Sequence, residues 1–294
     1  MSLFVGKDIC MKFINLIKYD IYQGTILSRN NYKIILITWG ILLCSKLSPR
    51  FSSEIGSFLD YVILCFGGTV PLESSIGSVE YFKFPIQWLL MLGSCSFYSL
   101  SYPFRDINSI GTQMLTRANR RVTWWLAKCF WCVANTIHFF ALELFSTVFF
   151  CYVTGTSISL NFSVSLLKEC GATFPSPQLR LLGGRDLLFT SVMSALQLMI
   201  AINLLQMLVG FVSQQVWGLV TSLSILVISS IWFSPFAIGN YGMLIRSNLV
   251  SKDGLSFLPR VFIIFPILSV AIMMVGGIVW RKLDLLPKEE IKWS

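Results

Sequence analysis

The sequence predicts an all-α membrane fold, six spans in a single domain, on three observations. Of 294 residues, 55% are hydrophobic and only 13% are charged, against roughly 25% charged in an ordinary soluble domain. With a mean hydropathy of +0.71, too few polar side chains remain to coat a globule of this size, so the missing surface faces lipid. Apolar runs of roughly the 20 residues that cross a bilayer core recur along the chain, with basic residues clustered between them. A soluble enzyme, a disordered chain, collagen and a disulfide scaffold are all excluded.

The first element, Ile9 to Leu27, places Cys10, Phe13, Ile14, Ile17 and Ile21 at helical spacing, with Lys12, Asn15 and Gln23 elsewhere. This reads as an amphipathic helix lying in the membrane interface, so that residues 1–32 form a cytoplasmic interfacial segment. Six spans follow over residues 33–280: Lys33 to Leu47, Phe84 to Tyr102, Trp125 to Val153, Leu187 to Val212, Val216 to Phe236, and Val261 to Trp280. Residues 281–294 make a tail. A weaker apolar piece, Phe58 to Leu72, holds Asp60 and Gly67-Gly68 and reads as a short outer or re-entrant segment. Ser213-Gln214-Gln215 leaves room only for a tight turn.

With six spans both termini share a side. The segments on that side carry Lys7, Lys12, Lys18, Arg29 and Lys33, then Arg105, Arg117, Arg120, Arg121 and Lys128, then Arg281, Lys282, Lys288 and Lys292, most of the 23 basic residues. The positive-inside tendency therefore places the termini in the cytoplasm of a multi-pass cell-membrane protein. The net charge of +9 sets topology, and no nucleic-acid partner is expected.

Chemistry is sparse. No phosphate loop of the form GxxxxGK[ST] occurs, so the chain is not expected to hydrolyse ATP, and neither HExxH nor GxSxG is present. No catalytic residue is assigned. The single histidine, His138, excludes a His-rich metal site and reads as a satisfied packing residue. Cys129 and Cys132 form a CxxC pair on an apolar helix with no second pair nearby, which reads as hydrophobic packing. Cys65 and Cys170 are able to pair only if both meet an oxidising exterior. Glu143 is the clear carboxylate deep in a span, where a charge costs at least ~2.5 kcal/mol. It reads either as part of a substrate path or as a neutral or paired structural group. Gln197, Asn203 and Gln206 on the fourth span either line a path or bond between helices. Gln197 and Gln206 lie about 180° apart, so the three do not all face one pore.

The stretch FPIQWLLMLGSCSFYSLSYPFRDINSIGTQMLTRANRRVTWWLAKCFWC, beginning at Phe84, carries the most information. Pro103 is expected to break the span, Asp106 to cap a new helix, and Ile107, Ile110 and Met114 to form the apolar stripe of a short cytoplasmic helix. Arg117, Arg120 and Arg121 then precede Trp124-Trp125 and Lys128, an order that suits an interfacial anchor of aromatic and basic residues.

This order resembles the ABC-2 type permeases, the membrane subunits of ATP-driven exporters, in which the loop between spans two and three carries a coupling helix and an arginine-rich segment. Leu115, Arg117, Arg120, Arg121, Leu126 and Lys128 match that pattern over about 50 residues; Ala118 and Asn119 depart from it where the family carries a proline step. The resemblance implies that Asp106, Ile107, Ile110, Met114, Arg117, Arg120, Arg121 and Lys128 couple to a separate ATP-binding subunit. It also implies a second permease subunit, ATP and Mg2+ on the partner rather than on this chain, and a peptide, lipid or drug as cargo. A secondary carrier and a non-transport assembly or sensor protein are the alternatives. The former needs inverted repeats and paired midplane ion ligands, and neither is visible.

Overall fold

The computed structural model describes residues 13–28, 31–48, 51, 54–70, 84–106, 121–170, 183–251, 254–255 and 258–282. Among them the regular structure is helical, with isolated bridges only at Ser57 with Ser157 and Ser247 with Leu255. Helix α1 covers residues 13–21 and runs into a turn of π-helix, Tyr22–Ile26. There follow α2 (Asn31–Leu47), α3 (Phe58–Phe66), α4 (Ile86–Asp106), α5 (Arg121–Thr154), α6 (Val164–Glu169), α7 (Gly184–Val212), α8 (Gln215–Ile231) and α9 (Leu258–Lys282). Two short 3-10 turns, Ile238–Gly242 and Leu244–Arg246, connect α8 to α9.

Among the described residues three stretches are long and apolar enough to cross a membrane: Arg121–Thr154, Gly184–Val212 and Phe262–Arg281. Contacts at the helix ends define two ends of the bundle. One end gathers the close of α4, the start of α5, and the ends of α7 and α9, where Phe104 meets Phe211 at 4.6 Å and Trp124 stacks on Trp280 at 5.1 Å. The other gathers the ends of α2 and α5, where the Lys46 ammonium donates to the Thr154 carbonyl at 3.2 Å.

On two of the helices the outer face is apolar. Helix α8 buries Gly218, Ser222, Leu226, Ser229 and Ser230, while Val216, Trp217, Val220, Val227, Ile228 and Ile231 face outward. Helix α9 likewise exposes Ile263, Ile264, Ile267, Val270, Met274 and Ile278. In water this arrangement would be unstable; against hydrocarbon it is the expected one, since small residues allow close helix approach and polar side chains find partners inside. Gly218 packs directly on Gln206 and Gly210 of α7, leaving no room for a Cβ. Gly155, at φ +68°, ends α5 in the left-handed conformation that a glycine adopts without strain.

Several expected details differ. Pro103 lies within α4, which continues to Asp106; the proline removes one intrahelical N–H bond, toward the carbonyl four residues earlier, without ending the helix. The helix expected over residues 107–117 lies outside the described residues. The fifth span ends at Ile231 rather than Phe236, since Pro235 disfavours helical geometry at Ser234. In the Phe58 to Leu72 segment, Asp60 starts a helix instead of interrupting one. Ser57 and Asp60 form a reciprocal capping box, Asp60 N–H to Ser57 Oγ at 3.2 Å and Ser57 N–H to Asp60 Oδ2 at 3.0 Å. Every residue of α3 is buried. Trp124 and Trp125, expected at headgroup depth, are buried among Phe211, Met273 and Trp280.

Candidate functional site

The helix that opens α5 sets three residues on one inward face. Trp124, Lys128 and Trp131 follow one another at spacings of four and three, which brings them to the same side of the cylinder, and all are fully buried. A buried ammonium requires counter-charge, and two other elements supply it. Asp20, one residue before the close of α1, places Oδ1 at 2.6 Å from Lys128 Nζ, and Asp106, the last residue of α4, places Oδ2 at 2.7 Å. The Tyr102 hydroxyl donates to Asp20 Oδ1 at 2.9 Å. The rings of Tyr102 and Trp124 lie 4.9 and 5.2 Å from the ammonium, close enough for cation–π attraction. Burial pushes the Asp20 carboxyl above its ordinary range, against the lowering effect of Lys128.

The polar turn after α1 completes this end. Thr25 donates to Asn135 Oδ1 at 3.1 Å, and Gly24 lies so close to Tyr102 and Trp131 that a Cβ would fall within 2.5 Å of the Trp131 ring nitrogen. Helix α1 and the π-helical turn after it thus pack on α4 and α5 through Asp20, Gly24 and Thr25, while Ile14, Tyr22, Ile26 and Leu27 face outward.

Of the residues expected to couple to a partner, Asp106 and Lys128 are joined in this ion cluster and Arg121 is exposed at the first turn of α5. Ile107, Ile110, Met114, Arg117 and Arg120 lie outside the described residues. The four residues expected along a substrate path are not brought together. Asn203 on α7 donates to Thr136 Oγ1 at 3.0 Å and Ser99 Oγ at 3.2 Å, joining α7 to α5 and α4. Gln206 donates to the Ser96 carbonyl at 2.9 Å and accepts from Ser222, joining α7 to α4 and α8. Both bond between helices, the second of the two readings the sequence allowed. Gln197 is half-buried with Oε1 unpartnered, and Glu143 is bonded to Thr38 of α2. His138, expected to be satisfied, leaves Nε2 buried without a partner. Cys65 and Cys170 are not joined in a disulfide, and no cluster of metal-binding side chains occurs among the described residues.

Two charged residues were missed. Asp20 was legible only as one polar residue on an amphipathic helix. Arg246, 2% exposed, sits at the opposite end of the bundle, where Nε donates to the Thr69 carbonyl at 2.8 Å. Its terminal nitrogens donate to the carbonyls of Ser229 and Ser230, each at 2.6 Å, and to Asn240 Oδ1. Burial pushes its guanidinium down to about 10, so it remains charged at neutral pH.

A cavity of about 530 Å³ opens between α2, α4 and α8, walled by Ile37, Leu89, Phe97, Tyr98 and Leu223, with Lys33 on its rim. Comparison with protein-family models, with curated proteins and with solved structures finds no match for this chain.

Proposed function

We propose that the chain is the membrane subunit of an ATP-driven exporter of the ABC-2 type, with six spans, both termini in the cytoplasm, and a second permease subunit beside it. The observation that carries this reading is the ion cluster at Lys128. Asp106 and Lys128 flank residues 107–120, the segment whose sequence resembles a coupling helix, and Asp20 ties both to α1. A displacement of that segment by a partner ATPase is passed to three helices through charges too costly to separate one at a time. The apolar outer faces of α8 and α9 support a position in lipid, and the apolar cavity with Lys33 at its rim supports a hydrophobic or amphipathic cargo, whether peptide, lipid or drug.

On this reading ATP, held with Mg2+ on the partner, biases the permease pair between two arrangements, and it does so only by binding one of them more tightly. The test is affinity capture of the full chain from membranes. Recovery of a soluble ATPase with a Walker phosphate loop is expected. Reversing Arg117, Arg120 and Arg121 together is expected to abolish either that recovery or export. Unchanged capture and unchanged export in the triple variant would remove the coupling assignment.

A further inference from the structure

Glu143 has a hydrogen-bonding problem that its protonation state resolves. It projects from the middle of α5, is 1% exposed, and stands 3.1 Å by Oε1 from Thr38 Oγ1 on α2. The same Thr38 hydroxyl lies 2.8 Å from the Ile34 carbonyl one turn earlier. A hydroxyl has one proton to give, and the Ile34 carbonyl has none. With the Thr38 proton on the shorter contact, the usual back-bond of a threonine in an apolar helix, the threonine lone pairs face Glu143. Two lone-pair-bearing oxygens would then confront each other unless the carboxyl supplies the proton.

The other oxygen points the same way. Glu143 Oε2 is buried and accepts nothing, and no lysine, arginine or histidine pairs with the residue among the described residues. The titratable groups facing it from the packed elements are the thiols of Cys65 on α3 and Cys95 on α4, both fully buried. An ionised carboxylate accepts only, and an unpaired one in an apolar interior is strongly disfavoured. Lys128, by contrast, is met by the carboxylates of Asp20 and Asp106, whereas Glu143 has no opposite charge against it among the described residues.

We propose that Glu143 is a proton-binding site, held as a neutral carboxylic acid that donates to Thr38 and fastens α2 to α5. Separating these two helices breaks the bond and admits water, and the released carboxyl then ionises; reclosing requires that the proton return. This goes beyond the exporter reading and does not depend on it, since it concerns the bonding of one side chain in the closed bundle.

The experiment is infrared spectroscopy of the full chain in lipid nanodiscs at neutral pH, in H2O and D2O. A carboxylic-acid C=O band is expected in the wild type and is expected to vanish in Glu143→Gln. Thr38→Val removes the acceptor, so the band is expected to persist but move to higher frequency. Absence of any Glu143-dependent acid band overturns the proton site, and a band unmoved in Thr38→Val overturns the assigned bond. Should Glu143→Gln fail to fold, the Thr38→Val shift and carbodiimide labelling of Glu143 in the wild type, located by mass spectrometry, still decide the matter. Labelling by a membrane-soluble carbodiimide is expected if the acid is held protonated in the closed bundle; no labelling together with no shift rejects the proposal.

Discussion

The two ends of the bundle each bury a cation, and they compensate it by different means. Lys128 is met by two carboxylates from separate elements and by two aromatic rings. Arg246 is met by backbone carbonyls and one side-chain amide, with no carboxylate bonded to it among the described residues. The side chains explain the difference. An ammonium is a compact, strongly hydrated charge that needs an equally compact counter-charge, whereas a guanidinium spreads its charge over a planar fork of five donors that fixed dipoles are able to satisfy. Ser229 and Ser230 lie in the last turn of α8, where carbonyls point outward and the helix dipole favours a cation. One end is therefore tied by charges whose pairing is broken only as a set, and the other is stitched by hydrogen bonds that hold loops in place.

Removing Lys128 should break the first arrangement most severely. Lys128→Met leaves two buried carboxylates facing each other without a cation, a loss of about 3–5 kcal/mol, measured as a lowered unfolding midpoint in detergent. A variant as stable as the parent would mean that the cluster is more hydrated than its burial indicates. Arg246→Lys probes the other end. A lysine is unable to reach the carbonyls of Thr69, Ser229 and Ser230 in one plane, so a loss of about 2–3 kcal/mol is expected from the acceptors left unpaired. If lysine substitutes without cost, charge alone, rather than the fork, is what this end requires.

Gly24→Ala sharpens the comparison without touching a charge. Its Cβ would press on the Trp131 ring nitrogen and on Tyr102, and overpacking of this kind costs about 1–2 kcal/mol. Because Asp20 rides on the same segment, the variant should also weaken its bond to Lys128. Combined with Lys128→Met it is therefore expected to cost less than the sum of the two, a double-mutant cycle with nonzero coupling.

The helical architecture was largely legible, because its cause, apolar runs against lipid, is written in composition. The ends of α2 and α7 at Leu47 and Val212 fall where the sequence places them. The ion cluster was half legible. The spacing of Trp124, Lys128 and Trp131 marks a common face, but the basic residues just before them made Lys128 look like one more interfacial charge. What sets it apart is Asp20, 108 positions away, and no local pattern connects the two. Arg246 was illegible for a different reason: its partners are mainly backbone carbonyls, which every residue carries and no sequence distinguishes. Asn203 and Gln206 were legible as polar residues between helices, but their acceptors became identifiable only once α4, α5 and α8 were seen against α7.

The smallest expected effect belongs to Asp20, and it carries a pH signature. Burial raises the Asp20 carboxyl above the ordinary carboxylate range even though Lys128 opposes the shift, so the ionised form is less favourable in the folded chain than in the unfolded one. Between the ordinary carboxylate value and the raised one, the folded state therefore holds a proton that the unfolded state has released. Stability contributed by this group is greatest below the ordinary range and declines as pH rises through that window, the reverse of a carboxylate whose value is depressed. Asp20→Asn keeps an oxygen for Tyr102 and Lys128 to donate to and removes only the charge, so it should cost about 1 kcal/mol or less at neutral pH. Its stability should also lack that decline, seen as a difference between the two chains' unfolding midpoints that narrows from acid toward neutral pH. A difference that widens instead would place the Asp20 carboxyl below its ordinary range, and would make its pairing with Lys128 as favourable as a desolvated ion pair can be.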